Sequence, residues 1–377
     1  MSKKKTLSCA AVFGMILAGG VLTVCSEKES FSELENRYLA KFPAVRASSY
    51  FSGDLCDGIE EYLSDHFFMR EDMVKVKNNI DILIGKDEIN GIYILENRLA
   101  EHIEEPDEST DNRSVDSINA FAEGFKKPVF MMLIPTQAEI YREELPNGAP
   151  NPDQKAYIDS VTSRVRNVTP IDVYSVLKGQ SSDYIYYRTD HHWTTKGAYC
   201  AYQTAARKMG YEYLPDSDFD RFHSSEEFRG TFYSKTLWDK TEPDTIDIYL
   251  PSDRGTRSEA KVLIYKETSE EPEIHQGMYF YEYLEKKDKY SVFFGTNQPM
   301  VTIKTDAPGG KLLVLKDSYA HSLVPFLAEH YSEITMLDTR YIQVPVNEVI
   351  DPEDYDQALL VYNVSTFMDG VRIRYKQ

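Results

Sequence analysis

Two short strings of this sequence contain residues that could act together as a nucleophile and its base. The first runs from Asp190 to Trp193 and places two histidines directly after a carboxylate. In a serine-type site, a histidine accepts the proton of the nucleophile, and a carboxylate fixes the tautomer of that histidine. Asp190 and His192 have an Asp-x-His spacing, which in a loop can bring the carboxylate to the back of the ring. The pattern favours His192 as a base and Asp190 as the residue that orients it.

Two other interpretations of this string stay open. Asp190, His191 and His192 could bind a metal ion, or a histidine could be purely structural, with its ring bonded to backbone groups. Side chains of neighbouring residues diverge on a regular element, so we expect His191 on the other side of the chain from His192. The sequence contains no H-x-H or H-E-x-x-H string that would supply another histidine ligand. We therefore expect no metal here.

The second string is Lys316-Asp317-Ser318-Tyr319, which follows the apolar run 311–315. A serine at the carboxyl end of a buried strand, where a helix begins, is the position at which α/β hydrolases expose a nucleophile. The first backbone N–H groups of such a helix can face a developing oxyanion. The alternative is that Ser318 only caps the helix, which serine does routinely.

Four further residues are weaker candidates for substrate binding or oxyanion stabilisation. Trp193 could offer a flat face to a sugar, or it could pack in the core. Asn297 and Asn363 could each donate a hydrogen bond to an oxyanion, although Asn297 also suits a turn. Arg340 could hold a substrate carboxylate in a bidentate pair, or it could pair with Asp338.

The elements that must position these residues alternate between strands and helices. Apolar runs bounded by turn residues predict strands at 128–134, 168–173, 311–315, 333–337 and 358–362. Helical spacing is found in 51–65, 71–84, 115–125, 197–209 and 319–330. The charged stretch 228–290 contains short alternating pieces and predicts a β-rich insertion. Together these patterns predict an open, mostly parallel α/β sheet flanked by helices, with ligands at the carboxyl ends of its strands.

Composition and charge narrow the classes of partner. The chain has 377 residues, with 42 Lys and Arg against 61 Asp and Glu, and a net charge of −19. A phosphate backbone needs a basic surface, so we expect no nucleic-acid partner, and the folded part should not dock on an anionic membrane. Of the four cysteines, Cys56 and Cys200 lie beyond the N-terminal segment, and we predict that both are unpaired.

The N-terminus predicts export. Lys3–Lys5 precede an uncharged run at 7–24, and a basic start followed by an apolar stretch describes a signal peptide or an uncleaved signal anchor. We assign 1–26 to this segment, with cleavage left open, 27–50 to a linker or cap, and 51–377 to the folded domain. The positive-inside bias puts the folded part outside the cytoplasm, secreted or anchored to the membrane by this segment alone. The alternative is a buried core helix.

Asp190-His191-His192-Trp193 followed by residues 194–197 resembles the signature of the DHHW protein family. The resemblance covers roughly residues 31 to 370. Further segments that resemble this family are 31–37, 62–70, 134–136, 316–319, 325–327 and 337–341. The family is similar to the SGNH-hydrolase-like proteins that O-acetylate alginate and other exopolysaccharides. The resemblance therefore implies an SGNH-hydrolase-like fold.

The resemblance also implies roles for three residues. In those relatives an Asp-x-His pair precedes the serine, as here, where His192 and Ser318 are 126 positions apart (318 − 192). Ser318 would be the nucleophile, His192 the base and Asp190 the residue that orients it. Lys316 stands where many SGNH proteins have glycine, and the chain has no clear glycine block, so the resemblance does not identify the oxyanion donors.

Two functions follow from these observations. The first is an extracytoplasmic serine-dependent O-acyltransferase or esterase that acts on a cell-surface or exported polysaccharide through an acyl-Ser318 intermediate. The resemblance implies a membrane-bound acyltransferase as acyl donor and no cofactor. The second is a non-catalytic glycan-binding or assembly protein on the same fold. A hydrogen-bonding distance from His192 to both Ser318 and Asp190 would favour the first.

The export assignment predicts how a shortened chain behaves. A chain that begins near Ser30 keeps every predicted strand and should fold and remain in solution, because the apolar run contributes nothing to the sheet. The full-length chain, unless processed, should sediment with membranes. Ultracentrifugation of cell fractions and circular dichroism of the shortened chain test both points. If the shortened chain is insoluble and unfolded, the run 7–24 is a core helix and the export assignment is wrong.

Overall fold

The computed structural model describes residues 13–14, 17–252, 260–266 and 271–376. The chain forms two compact units, of which the first contains residues up to Asn90 and Tyr233–Lys240, and the second contains Gly91–Phe232 and the residues from Thr241 onward. Most of the predicted export segment lies outside the described residues, and residues 17–25 are helical. Among the described residues, no helix combines the length and apolar character needed to cross a membrane.

The first unit is mainly helical. Its helices are α1 (Ala47–Ser52), α2 (Asp54–Asp65) and α3 (Arg70–Leu83), and its short strands are β1 (Phe31–Ser32), β2 (Arg37–Tyr38) and β3 (Glu88–Ile89). The carboxylate of Asp65 joins two segments of this unit, because it accepts hydrogen bonds from Arg37 Nη1 at 2.9 Å and from the backbone N–H of Ala40 at 2.8 Å. Cys56 is free, as is Cys200 of the second unit, which confirms the prediction of two unpaired thiols.

The second unit contains the sheet and most of the helices. Its strands are β4 (Ile92–Ile94), β5 (Leu99–Glu101), β6 (Val129–Ile134), β7 (Val168–Pro170), β8 (Phe219–Phe228), β9 (Asp244–Pro251), β10 (Lys261–Tyr265), β11 (Glu273–Gln276), β12 (Met300–Lys304), β13 (Lys311–Lys316), β14 (Glu333–Leu337) and β15 (Gln357–Asn363). Its helices as far as Met209 are α4 (Glu108–Phe125), α5 (Gln137–Ile140), α6 (Gln154–Arg164), α7 (Val173–Gly179) and α8 (Thr195–Met209).

Helix α9 (Thr231–Thr236) contains residues of both units, and α10 (Ala320–Leu327), α11 (Val346–Val349) and α12 (Val364–Gly370) complete the series. Short 3₁₀ turns are Arg142–Glu144, Asp216–Asp218, Tyr281–Glu285, Lys289–Val292 and Pro352–Asp354.

The large sheet has eight strands in the order β11-β10-β12-β14-β13-β15-β6-β7. The five strands from β14 to β7 are parallel, and β12, β10 and β11 add an antiparallel edge. The predicted open, mostly parallel sheet flanked by helices is therefore confirmed. The stretch 228–290 is rich in strands as predicted, but β10 and β11 extend the main sheet, while β9 pairs with β8 in a separate two-stranded sheet.

The central strands are apolar throughout because both faces of the sheet are covered. Along β13, Leu312 and Val314 pack into one hydrophobic core, and Leu313 and Leu315 pack into the other. Helices α8 and α10 contribute to the first core, and α4 and α12 contribute to the second. The strand ends are therefore held rigidly, which is what a site at the carboxyl edge requires.

Helix α8 begins directly after the Asp190–Trp193 string. The hydroxyl of Thr194 caps it by accepting a hydrogen bond from the backbone N–H of Gly197 at 3.3 Å. Gly197 lies against another segment, since a Cβ there would be 2.4 Å from the carbonyl oxygen of Ile185. A glycine at this position allows the close approach that places the string beside the strand ends.

Candidate active site

The structure brings the two strings together at the carboxyl end of β13. The Ser318 hydroxyl lies 2.7 Å from Nε2 of His192, and Nδ1 of His192 lies 2.6 Å from Oδ1 of Asp190. Because a carboxylate can only accept, Nδ1–H donates to Asp190, and Nε2 is left to accept the proton of Ser318. Helix α10 begins at Ala320 and has no side-chain cap, so the interpretation of Ser318 as its capping residue is wrong.

The carboxylate of Asp190 is buried and fully bonded. Oδ1 accepts the backbone N–H of His192 at 3.0 Å in addition to the ring, and Oδ2 accepts the backbone N–H of Thr231 at 2.8 Å and its hydroxyl at 3.0 Å. Burial alone would raise the pKa of Asp190, but the two imidazoles and these hydrogen bonds outweigh it and hold the pKa below its usual value. Asp190 is therefore an anion behind the His192 ring.

Glycine at position 230 makes this arrangement possible. A Cβ on Gly230 would lie 2.2 Å from Cβ of Asp190 and 2.3 Å from its Oδ2. Any larger residue would displace the carboxylate from its partners.

His191 is not displaced to the other side of the chain, and that prediction is wrong. Its ring centroid is 3.8 Å from the ring centroid of His192, and its Nδ1 lies 2.7 Å from the Thr231 hydroxyl. The two side chains converge because residues 190–192 form an irregular loop, where the alternation of a strand does not apply. The pKa of His191 is lowered by burial of the ring and by the neighbouring His192, which outweigh the attraction of Asp190.

Asp190, His191 and His192 place potential metal ligands within 4.8 Å of one another. These atoms already have partners, since both carboxylate oxygens, Nδ1 of His192 and Nδ1 of His191 are hydrogen-bonded. A metal ion would have to replace these bonds, so the donor set suits a proton relay better than a metal centre.

Tyr290 stacks on the His192 ring. The two rings are stacked with centroids 3.8 Å apart and an interplanar angle of 9°. The Tyr290 hydroxyl donates to the carbonyl oxygen of Ser318 at 3.0 Å and lies 3.2 Å from the Ser322 hydroxyl. One buried aromatic side chain therefore contacts both the base and the backbone of the nucleophile.

Asp317 anchors the turn that carries Ser318. Its Oδ1 accepts the backbone N–H of Tyr319 at 2.9 Å, and its Oδ2 accepts the backbone N–H of Asn363 at 2.7 Å. Burial raises the pKa of Asp317, and these two backbone donors partly oppose the shift. The side-chain amide of Asn363 donates to the carbonyl of Ile134 at 3.1 Å, so its predicted role as an oxyanion donor is not supported.

Lys316 is buried behind Ser318. Its Nζ lies 2.8 Å from Nε2 of His321, 3.3 Å from Oδ2 of Asp338 and 3.5 Å from Oδ1 of Asn297. Burial lowers the pKa of Lys316, and Asp338 opposes that shift. Oδ1 of Asn297 therefore accepts from this lysine, and the lysine in place of a glycine is part of an internal charged network.

Two other weak candidates are also used internally. Arg340 donates to Asp338 from Nε at 2.9 Å and from Nη2 at 2.6 Å. Of the two roles considered for Arg340, the structure therefore shows the ion pair with Asp338. Trp193 is completely buried, and its Nε1–H donates to the carbonyl of Tyr319 and to the Ser322 hydroxyl, each at 3.0 Å. Because Trp193 has no exposed face, the alternative that it packs in the core is the correct one, and it offers no flat face to a sugar.

Sequence reasoning missed Thr231, Tyr290 and Tyr319 as residues of the site. Thr231 and Tyr290 are 39 and 98 positions from His192 (231 − 192 and 290 − 192), and no motif spacing links them to it. Tyr319, which follows Ser318, donates its hydroxyl proton to the carbonyl of His191. Its position directly after Ser318 is the feature of the sequence that could have identified Tyr319 as a residue of the site.

Comparisons with known proteins agree with the motif. The DHHW protein family model matches residues 85–337. A crystal structure of a DHHW family protein from Eubacterium siraeum is similar to this chain, with 25% identity, a TM-score of 0.66, and coverage of 77% of this chain and 98% of the other. PatB1 of Bacillus cereus, solved with a sulfonyl adduct, has 20% identity, a TM-score of 0.64, and coverage of 76% and 98%.

The O-acetyltransferase domain of Pseudomonas putida AlgJ is more distant, with 13% identity, a TM-score of 0.45, and coverage of 75% and 93%. That TM-score is too low to support a functional comparison. No curated protein matches the sequence. The likenesses show the SGNH-like α/β fold that the resemblance implied. The family model spans 253 residues (337 − 85 + 1), which is two thirds of the 377 in the chain, and the chain therefore belongs to the DHHW protein family.

Proposed function

We propose that this protein is a serine-dependent O-acyltransferase or esterase that acts on a cell-surface or exported polysaccharide. The observation that carries the proposal is the continuous set of hydrogen bonds from Asp190 through His192 to Ser318. A glycan-binding protein would not need an anion behind a neutral imidazole that accepts from a serine hydroxyl. This arrangement activates a nucleophile at neutral pH.

The first half-reaction forms an acyl-serine. Ser318 Oγ attacks the carbonyl carbon of the acyl donor while its proton moves to Nε2 of His192. Asp190 stabilises the imidazolium that results. When the tetrahedral intermediate collapses, the bond to the leaving group breaks, and the leaving group takes the proton from His192.

The second half-reaction runs through the same groups. His192 accepts a proton from the incoming hydroxyl, the oxygen attacks acyl-Ser318, and Ser318 recovers its proton when the ester bond breaks. The incoming hydroxyl belongs to a sugar in a transferase and to water in an esterase. The relay serves both reactions equally.

The oxyanion needs donors that are not otherwise engaged. Around Ser318, the backbone N–H groups of Tyr319 and Asn363 are bonded to Asp317, and the amide of Asn363 is bonded to Ile134. In the described part of the chain, the hydrogen bonds leave the backbone N–H of Ser318 without an acceptor. This N–H belongs to the nucleophile itself, and we assign it as one oxyanion donor.

The proposed location follows from the N-terminal sequence. The basic start and the apolar run at 7–24 support an extracytoplasmic protein, either secreted or anchored by that segment. The resemblance to the exopolysaccharide O-acetylation proteins supports a membrane-bound acyltransferase as the proposed source of the acyl group.

Removal of the nucleophile tests the proposal directly. Ser318→Ala should lower the release of p-nitrophenolate from p-nitrophenyl acetate about 10⁴-fold or more, because no acyl-enzyme can form. Mass spectrometry of the trapped protein should show acetylation at Ser318 in the wild type only. Ser163→Ala, in an exposed turn of α6, is the matched control and should be unaffected. Equal rates for Ser318→Ala and the wild type would reject the proposal. Adding an oligosaccharide acceptor separates acetyl transfer from release of acetate.

The two adjacent histidines should differ in their effects. His192→Ala removes the ring whose Nε2 lies 2.7 Å from the Ser318 hydroxyl and should reduce turnover by orders of magnitude. His191→Ala removes a bond to Thr231 and should act mainly on stability or binding, with a much smaller loss of turnover. Steady-state rates and melting temperatures of both variants distinguish these effects. Wild-type turnover in His192→Ala would contradict the assignment of the base.

Tyr290 should act by positioning His192 and Ser318. Tyr290→Phe keeps the stacked ring but loses the hydrogen bonds of the hydroxyl to the Ser318 carbonyl and to Ser322, each worth about 0.5–1.5 kcal/mol, so we expect a loss of a few fold in turnover. Tyr290→Leu also loses the stacking and should cost more than tenfold. The exposed Tyr281→Leu is the control. An unchanged rate in Tyr290→Leu would show that Tyr290 acts only in packing.

A further inference from the structure

A cavity rich in arginine lies in the second unit. It has a volume of about 430 Å³, which is in the range of cavities that bind small ligands, roughly 300–1,000 Å³. Its polar and charged lining includes Thr339, Arg340, Gln343, Asp369, Arg372 and Arg374.

The cavity is near the carboxyl edge of the sheet, where Ser318 also lies. Arg340 follows β14, Tyr362 belongs to the end of β15, and both residues line the cavity. Ser318 follows β13, which lies between those two strands. Since adjacent strands are about 4.8 Å apart, the cavity and the nucleophile belong to neighbouring strand ends.

The cavity has an excess of positive charge in a strongly acidic protein. Three arginines line it against a single acidic residue, Asp369, although the whole chain has a net charge of −19. Arg340 shares the buried carboxylate of Asp338 with a second basic side chain, since Nζ of Lys316 lies 3.3 Å from Oδ2 of Asp338. The charge of Arg340 is therefore only partly neutralised.

Donors remain available on the arginines. Arg374 uses Nη1 for the carbonyl of Ile342 at 3.2 Å and for Oε1 of Gln343 at 3.0 Å. Across the residues that the structure describes, no hydrogen bond or ion pair engages the exposed guanidinium of Arg372. A guanidinium presents two parallel N–H groups that match the geometry of a carboxylate or a phosphate.

We propose that this cavity binds an oxyanion, a carboxylate or phosphate group carried by the glycan, and so selects an acidic polysaccharide. The substrate class rests on the proposed function, whereas anion binding by the cavity does not. An acidic group held at the ends of β14 and β15 would place a neighbouring sugar toward the end of β13. Electrostatic selection would then come from the arginines, while Ser318 and His192 perform the chemistry.

Isothermal titration calorimetry of the full chain in detergent tests the proposal. Oligogalacturonate supplies carboxylates, inorganic phosphate supplies the other anion, and a neutral cello-oligosaccharide is the comparison. The wild type should bind at least one of the anions, more weakly at high salt. Arg372→Gln should raise the Kd about tenfold, as expected for the loss of a charge-assisted hydrogen bond. Arg207→Gln, an exposed arginine of α8, is the matched control and should bind like the wild type.

The outcomes separate the anion site from the proposed reaction. Tighter binding of oligogalacturonate identifies a carboxylate ligand, and tighter binding of phosphate identifies a phosphorylated one. Ser318→Ala should bind the anion like the wild type. If the wild type binds anions but transfers no acyl group, the proposed function is rejected and the anion site is retained. No anion binding by the wild type, equal affinity for the neutral oligosaccharide, or an unchanged Kd in both Arg372→Gln and the double variant R372Q/R374Q would overturn the site.

Discussion

A carboxylate removed from water must be surrounded by donors, and at Asp190 this requirement fixes the geometry of the whole site. Its two oxygens bind two separate segments, the loop that contains His192 and the start of α9 at Thr231. Removing either partner would leave a buried charge short of hydrogen bonds, which costs several kcal/mol. The ring of His192 therefore has one orientation, and that orientation points Nε2 at Ser318.

Two other buried aspartates near the site also accept hydrogen bonds from backbone N–H groups of separate segments. Asp244, at the start of β9, accepts the backbone N–H groups of Arg188 at 2.6 Å and Thr189 at 2.8 Å, immediately before the Asp190–Trp193 string. Asp317 links the end of β13 to the end of β15 through the backbone of Asn363. Loops that would otherwise be mobile are thus tied to rigid strands. The site gains preorganisation from backbone donors, which substitutions of side chains cannot remove.

Sequence reasoning succeeded where the signal was local. Apolar runs such as 311–315 become central strands because both faces of the sheet are buried, and the Asp-x-His spacing places Asp190 behind His192. It failed where tertiary packing decided the outcome. For Trp193 it left a sugar platform and core packing both open, because exposure cannot be read from a single aromatic residue. Tyr290 and Thr231 carry no motif, and only the folded chain brings them to the two histidines.

The hydrogen bonds around Asp190 also explain why two histidines stand next to each other in this loop. The Thr231 hydroxyl donates to Asp190, so it must accept from Nδ1–H of His191, which sets the tautomer of that ring. Burial and the neighbouring His192 lower the pKa of His191, so His191 stays neutral when His192 takes up a proton. A second cation 3.8 Å away would oppose formation of the imidazolium, whereas a neutral ring does not. His191 thus orients the Thr231 hydroxyl that donates to Asp190, without competing for the charge that His192 must carry.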